Sequence, residues 1–134
     1  MNVSFFAEVY PVRSGLEDWL SDLGVTIEDT LVLDGQHGQY SLPVTRSIGD
    51  SRVRQTSLVN YPYIVDVRGE GLNTDSSITT KLGQVYAPWV SPITIDNSSS
   101  NNRNIIPMLL SSDDSWTSDS YDVLPDFSLS LIHI

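Results

Sequence analysis

Short apolar runs, separated by turn residues, dominate the pattern along this chain. Residues 3–9 and 31–34 are apolar runs of strand length, bounded by Pro11 and Gly35, and they predict two buried strands. Between them, apolar residues recur at helical spacing over residues 15–23 and predict an amphipathic helix. The order strand, helix, strand is typical of α/β proteins, in which a crossover helix joins parallel strands.

The predicted helix carries its own start and stop signals. Ser14 and Glu17 have the spacing of a capping box, in which the serine hydroxyl accepts from the Glu17 backbone N–H and the Glu17 carboxylate bonds back. Gly24 follows, where a left-handed helix end favours glycine. The apolar stripe that this helix is expected to bury consists of Leu16, Trp19, Leu20 and Leu23.

The pattern is less regular downstream. Residues 36–49 are polar and indicate an irregular segment, whereas residues 57–67 predict a strand with Pro62 at a sheet edge or a bulge. The remaining expectations are a turn at 69–71, a short helix at 78–85, an extended segment at 87–95, a polar loop at 96–104 and a buried strand at 105–110.

The charge balance argues against nucleic acid as a partner. The 134 residues include 17 acidic and 7 basic side chains, for a net charge of −10. Nucleic-acid binding needs clustered Lys and Arg, and the nearest approach, Arg46, Arg52 and Arg54, is expected to decorate a strand or loop. An anionic membrane would repel the domain, and no apolar run approaches the roughly 20 residues of a membrane span. We expect membrane association only through parts of a parent protein outside this chain.

No residue pattern predicts a catalytic centre or a cofactor. The chain has no cysteine, which excludes disulfides, thiolate metal sites and a cysteine nucleophile. His37 lies in a glycine-rich loop sequence and is expected to be exposed, and His133 is assigned no role. Four aspartates within residues 113–122 lie among serines and predict a solvated loop, with a cation site as the alternative.

Aromatic residues gather around prolines in two segments. Tyr61, Tyr63, Tyr86 and Trp89 lie on predicted strands, where core or edge packing is the usual role of such side chains. Sugar stacking or a peptide groove is the functional alternative. Tyr61, Tyr63 and Trp89 are therefore the candidate partner surface.

Three passages in a fixed order carry a family resemblance. Residues 16–34 combine a leucine-rich helix, a glycine, an acidic turn and Leu-Val-Leu-Asp, and residues 61–93 place Tyr-Pro-Tyr before a short helix and Pro-Trp-Val-Ser-Pro-Ile. Residues 109–116 add Leu-Leu-Ser-Ser and Ser-Trp. Together they resemble the auxiliary component of gliding-motility-associated ABC transporters, the GldG-like family, although the His-Pro that usually precedes the short helix is absent.

That resemblance implies an α/β, flavodoxin-like, three-layer domain related to class I glutamine amidotransferases, present here as an incomplete fragment with several strands and few helices. It implies a periplasmic position on the bacterial inner membrane, with the anchor elsewhere in the parent, and an ABC permease and ATPase as partners. Because the amidotransferase nucleophile is a cysteine, it also implies a non-enzymatic domain that binds a partner or ligand.

The alternative function is a carboxylate-dependent hydrolase or a carbohydrate-binding domain. Glycoside hydrolysis needs two carboxyl groups at a defined separation across a cleft. A pocket that pairs Asp34, Asp66 or Asp113 with another acid would favour the hydrolase.

The last six residues, 129–134, match the translated end of a transposase-based sequencing adapter. We therefore expect residues 1–128 to belong to the auxiliary domain and residues 129–134 to be a non-native tail. A short natural strand is the alternative.

Overall fold

The computed structural model of the chain describes residues 9–98 and 103–125. Its elements in chain order are α1 (Glu17–Asp22), β1 (Val25–Ile27), β2 (Leu31–Asp34), β3 (His37–Ile48), β4 (Ser51–Arg68), a 3₁₀ turn (Gly69–Gly71), β5 (Gln84–Pro88), β6 (Ile93–Ile95) and β7 (Ser115–Ser118). The expectation of several strands and few helices is confirmed within these ranges.

The strand pairs within the described ranges are antiparallel. β1 pairs with β6, β2 pairs with β7, and β3, β4 and β5 form one sheet in that order. The predicted parallel pair of residues 3–9 with β2 stays a prediction, and within the described ranges β2 pairs with β7. The predicted strand at residues 3–9 lies almost wholly outside the described residues. The flavodoxin-like, three-layer arrangement stays a prediction.

β3 and β4 form a long hairpin, although residues 36–49 were expected to be irregular. Ile48 pairs with Ser51, so Gly49 and Asp50 alone make the turn, and Gly49 has a φ of 60°, which suits glycine. A two-residue connection of this kind joins antiparallel strands. The expectation is wrong because polar residues cover the solvent side of a strand whose apolar residues, such as Leu42, come only at alternate positions.

One face of the β3–β4–β5 sheet covers a small apolar core. Side chains alternate across a strand, and the pairs Val65–Ala87 and Val67–Val85 place odd-numbered residues of β4 and β5 on this face. The core members and the side chains packed against them are Val32, Val65, Val67, Leu72, Val85, Ala87 and Val90. The even-numbered residues point away from this core.

Pro62 lies in a bulge, which confirms one of the two positions that the sequence allowed. The register shifts between His37, which is opposite Val65, and Gln39, which is opposite Asn60. Residues 61–63 pair with neither β3 nor β5 in the ladder. The missing N–H of proline therefore interrupts no ladder hydrogen bond.

α1 is shorter than predicted, and part of its apolar stripe is exposed. The Glu17 carboxylate accepts from the backbone N–H of Ser14 at 2.7 Å, which is one half of the capping box. The other half is absent, because the Ser14 hydroxyl accepts from the N–H of Leu16 at 3.2 Å. Leu16 and Trp19 are 53% and 58% exposed. α1 has only six residues, and no helix within the described ranges is long and apolar enough to cross a membrane.

The downstream expectations are met unevenly. The turn at 69–71 is confirmed, and residues 87–95 are extended apart from a turn at Trp89. Turns up to residue 81 and the start of β5 at Gln84 replace the predicted helix at 78–85, and buried Thr79 donates its hydroxyl to the Asn73 carbonyl. The predicted strand at 105–110 is reduced to one bridge between Leu109 and Leu72, and Pro107 interrupts the segment. Part of the polar loop lies outside the described residues.

Asp34, the last residue of β2, joins three segments and has no exposed surface. Its carboxylate accepts from the N–H of Gln36 at 2.8 Å, from the N–H of Ser112 at 2.7 Å and from the Ser112 hydroxyl. Gln36 then reaches β4, because its carbonyl accepts from the Asp66 N–H at 3.0 Å and its side chain donates to the Asp66 carbonyl. A buried carboxylate is stable only with such donors. One side chain therefore holds the end of β2, the β2–β3 turn and the loop before β7.

Replacing Asp34 should be the most damaging single change at this junction. In Asp34→Ala the N–H groups of Gln36 and Ser112 lose a charged acceptor, and we expect the free energy of unfolding to fall by about 2–4 kcal/mol. Asp34→Asn, which keeps one carbonyl oxygen, should lose less. Urea unfolding followed by tryptophan fluorescence measures both, with exposed Asp119→Ala as the control. Equal stability of the Asp34→Ala and Asp119→Ala variants would contradict this role.

Candidate functional site

The structure brings Tyr61, Tyr63 and Trp89 together at the bend of β4. β5 ends at Pro88, and Trp89 then turns the chain with a φ of 51°. The Trp89 backbone N–H donates to the Tyr63 carbonyl at 2.9 Å, and its indole Nε1 donates to the Tyr61 hydroxyl at 2.9 Å. These three residues form the aromatic cluster named below.

The aromatic cluster holds a later segment of the chain against the sheet. The Tyr61 hydroxyl donates to the Val123 carbonyl at 2.6 Å, and the Tyr63 hydroxyl donates to the Asp122 carbonyl at 3.4 Å. The Tyr61 ring lies 5.6 Å from the ring of Tyr40 and 5.5 Å from that of Tyr63, both in tilted arrangements. Such edge contacts add to the apolar burial. Val123 is buried as a result.

The three residues differ in what they offer a partner. Tyr61 is 1% exposed and lies in the core, so it contributes no contact surface. Trp89 is 39% exposed and Tyr63 is half-buried, so these two form the accessible part of the cluster. Whether they contact a partner stays a prediction.

Burial changes the acidity of both tyrosines. It raises the pKa of Tyr61 to about 12, against the lowering effect of the hydrogen bond from Trp89. Burial also raises the pKa of Tyr63, and the neighbouring Asp122 carboxylate adds to this effect. Both phenols are therefore neutral donors at physiological pH.

A polar cleft lies on the opposite face of the β3–β4–β5 sheet from the core. The pairs Asp66–Tyr86 and Arg68–Gln84 put even-numbered residues of β4 and β5 along this cleft, which has a volume of about 730 Å³. Gly38 lines this cleft and has no side chain, and a Cβ added there would lie only 2.7 Å from Ile64 Cγ2. The glycine therefore allows close packing of β4 against β3.

Asp66 is the carboxylate of this cleft and is 4% exposed. Its Oδ1 accepts from Gln84 Nε2 at 2.7 Å, and its Oδ2 lies 3.6 Å from Arg68 Nε. Gln84 Nε2 also donates to the Tyr86 hydroxyl at 3.1 Å. Amide, phenol and guanidinium groups therefore line the cleft around one acid, which fits polar recognition better than two-carboxylate hydrolysis.

A second cavity, of about 670 Å³, lies between the turn after β4 and the loop before β7. Glu70 and Asp113 both line it, which is the kind of pair that the hydrolase alternative requires. Both side chains are exposed, however, and a general acid needs burial or a close like charge to hold its proton at neutral pH. Asp34 is excluded from such a role, because its oxygens are occupied by Gln36 and Ser112.

The other candidate residues are placed as follows. His37 lies on β3, half-buried, with Nδ1 2.9 Å from the Gly38 carbonyl, so its expected exposed loop position is wrong. His133 lies outside the described residues. The four aspartates of 113–122 are exposed as expected, but residues 115–118 between them form β7, so the predicted loop is only partly right. Arg46, Arg52 and Arg54 lie on exposed strands. Within the described ranges, no group of three His, Asp or Glu side chains is placed to hold a metal ion.

Sequence reasoning did not identify Gln84, Gly38 and Ser112 as parts of these sites. The sequence pattern predicts Gln84 in a helix and gives no indication of its place opposite Arg68. Ser112 belongs to a serine-rich stretch and meets Asp34 across 78 residues of sequence. No local signal marks such a long-range partner.

Small antiparallel sheets, an open polar cleft and a hydrogen-bonded aromatic cluster define a β-rich domain. A family model described as an ABC-type uncharacterized transport system matches residues 2–129. The chain belongs to this family, which confirms the resemblance to an auxiliary component of an ABC transport system. No curated protein and no solved structure matches the chain.

The raised pKa of Tyr61 predicts a loss of stability at high pH. The folded-state pKa of about 12 exceeds the ordinary value of 10, so the contribution is complete below pH 10 and is lost as pH rises through 12. Its size is about 2–3 kcal/mol. Tyr61→Phe should weaken this dependence, and exposed Tyr86→Phe should keep it. Thermal unfolding between pH 9 and 12 measures the effect, and an unchanged slope in Tyr61→Phe would refute the assignment.

Proposed function

We propose that this chain is a non-catalytic auxiliary domain of a gliding-motility-type ABC transport system that binds a partner or ligand. Family membership supports an association with transporter components. The resemblance implies a relation to class I amidotransferases, whose nucleophile is a cysteine, and the proposal of a binding role fits a chain without cysteine. The proposed partners are the permease and ATPase subunits, or a ligand that they deliver or receive.

The observation that carries this proposal is the fixed, partly exposed indole of Trp89. A φ of 51° is rare for a bulky residue, and strained conformations of this kind concentrate at functional sites. The Trp89 backbone N–H donates to the Tyr63 carbonyl and its indole Nε1 donates to the Tyr61 hydroxyl, so backbone and side chain are both held before any partner arrives. A preordered tryptophan loses little conformational entropy on binding, and tryptophan is enriched among residues that dominate interface energetics.

The proposed location is the periplasmic face of the inner membrane. As the family resemblance implies, the anchor is proposed to lie elsewhere in the parent protein. An ATPase subunit acts on the cytoplasmic side, so its association with this domain is proposed to pass through the permease.

Replacing Trp89 should weaken the transporter complex. In the parent protein expressed with its permease and ATPase, Trp89→Ala should reduce co-purification at least tenfold, about 1.4 kcal/mol or more, because an anchoring side chain is removed. Trp116→Ala is the matched control, since Trp116 is 49% exposed and lies on β7. Equal co-purification of the Trp89→Ala and Trp116→Ala proteins would exclude the aromatic cluster as the contact.

Labelling chemistry tests the location, because the chain has no native cysteine. Exposed Ser77→Cys in the parent protein should react with a membrane-impermeant maleimide in spheroplasts before lysis. A cysteine placed in the ATPase subunit should react only after lysis and serves as the control. Labelling of Ser77→Cys only after lysis would place the domain in the cytoplasm.

A further inference from the structure

The far end of the β3–β4 hairpin is an exposed arm, defined here as residues 43–58. Every residue from 45 to 58 is exposed. The arm carries Arg46, Arg52 and Arg54, three of the 7 basic residues, against one acid, Asp50. The remainder of the chain therefore holds nearly all of the 17 acidic residues. A basic arm thus projects from a strongly acidic body.

The arm has a mixed apolar and basic face. Directly opposite residues share a face of an antiparallel pair, so Val53 lies beside Arg46, and Ile48 lies two residues further along the same face. Ile48 is 66% and Val53 is 44% exposed. Arg52 and Arg54 lie on the other face, opposite Ser47 and Thr45. An occupant of the arm must therefore supply both negative charge and apolar surface.

α1 supplies this combination. Its sequence places Glu17, Asp18 and Asp22 around Trp19, with no basic residue in the helix. Trp19 is 58% exposed, and Leu16 beside it is 53% exposed. An arginine guanidinium can donate two parallel hydrogen bonds to one carboxylate and can stack on an indole ring. Arginine therefore fits this acidic and aromatic surface better than lysine would. Since both α1 and the arm are exposed, the contact is not made within one chain.

We propose that the arm of one copy docks on α1 of a second copy. When the second copy returns the same contact, a closed two-fold dimer results with two arm–helix contacts. Arg46, on the same face as Ile48 and Val53, meets the carboxylates of Asp18 and Asp22, and the two apolar residues cover Trp19. Arg52 and Arg54, on the other face, add to the positive potential that attracts the acidic helix. This association does not depend on the proposed transport role, and it gives the exposed apolar residues of both elements a partner.

The test is the mass of the purified full chain by sedimentation equilibrium, from about 5 to 200 μM. The wild type should form a dimer that weakens about tenfold or more between 50 and 500 mM salt, because exposed charges are screened. Arg46→Glu with Arg52→Glu and Arg54→Glu should weaken the dimer at least tenfold. Asp18→Lys with Asp22→Lys should do the same, although it makes the chain less negative overall and so lowers general repulsion.

An equimolar mixture of the two variant chains provides the decisive comparison. Each contact in a mixed dimer again joins opposite charges, so the mixture should recover the dimer that neither variant forms alone. Lys81→Glu with Arg103→Glu, at exposed positions outside the arm, controls for added negative charge and should dimerise like the wild type. A monomeric wild type, or a mixture that stays monomeric, would overturn the proposal. The arginines would then serve only to prevent the exposed strands from aggregating.

Discussion

The structure depends on the burial of one carboxylate at the end of β2. Asp34 has no exposed surface, and water cannot supply the hydrogen bonds that its charge requires. Two backbone N–H groups and one hydroxyl take that place, and they come from Gln36 and from Ser112. This requirement brings the loop before β7 to the sheet and aligns β7 with β2. It also fixes Gln36, which bonds the backbone of Asp66 beside the polar cleft.

The sequence predicts local features of this fold better than long-range ones. β2 is found because four successive buried residues leave a plain apolar run, and α1 is found because its apolar residues have helical spacing. The sequence does not predict the hairpin, because residues 45–58 of its outer half are all exposed and mostly polar. The helix expected at 78–85 failed because Thr79 bonds the carbonyl of Asn73, and this contact favours a series of turns.

The candidate site was predicted in composition but not in geometry. Tyr61, Tyr63 and Trp89 were grouped because prolines and aromatics recur near them, and the structure does bring them together. Tyr61 is buried where its hydroxyl bonds the Val123 carbonyl, 62 residues away in sequence, so the sequence does not show that only Tyr63 and Trp89 are accessible. The cleft shows the same limit, since Asp66 and Gln84 meet only after β5 pairs with β4. Family membership was recognisable from the order of short passages, because such order survives where single motifs do not.

The span of the Asp34 contacts has a consequence for synthesis on the ribosome. The hairpin joins neighbouring strands through two residues and can form soon after it leaves the exit tunnel. Asp34 must wait for Ser112, 78 residues later, and during that time its carboxylate lacks the two donors that Ser112 supplies. Closing so long a loop is slow compared with hairpin formation. The order of synthesis therefore places the hairpin before the closed Asp34 site, which is complete only after the loop before β7 has emerged.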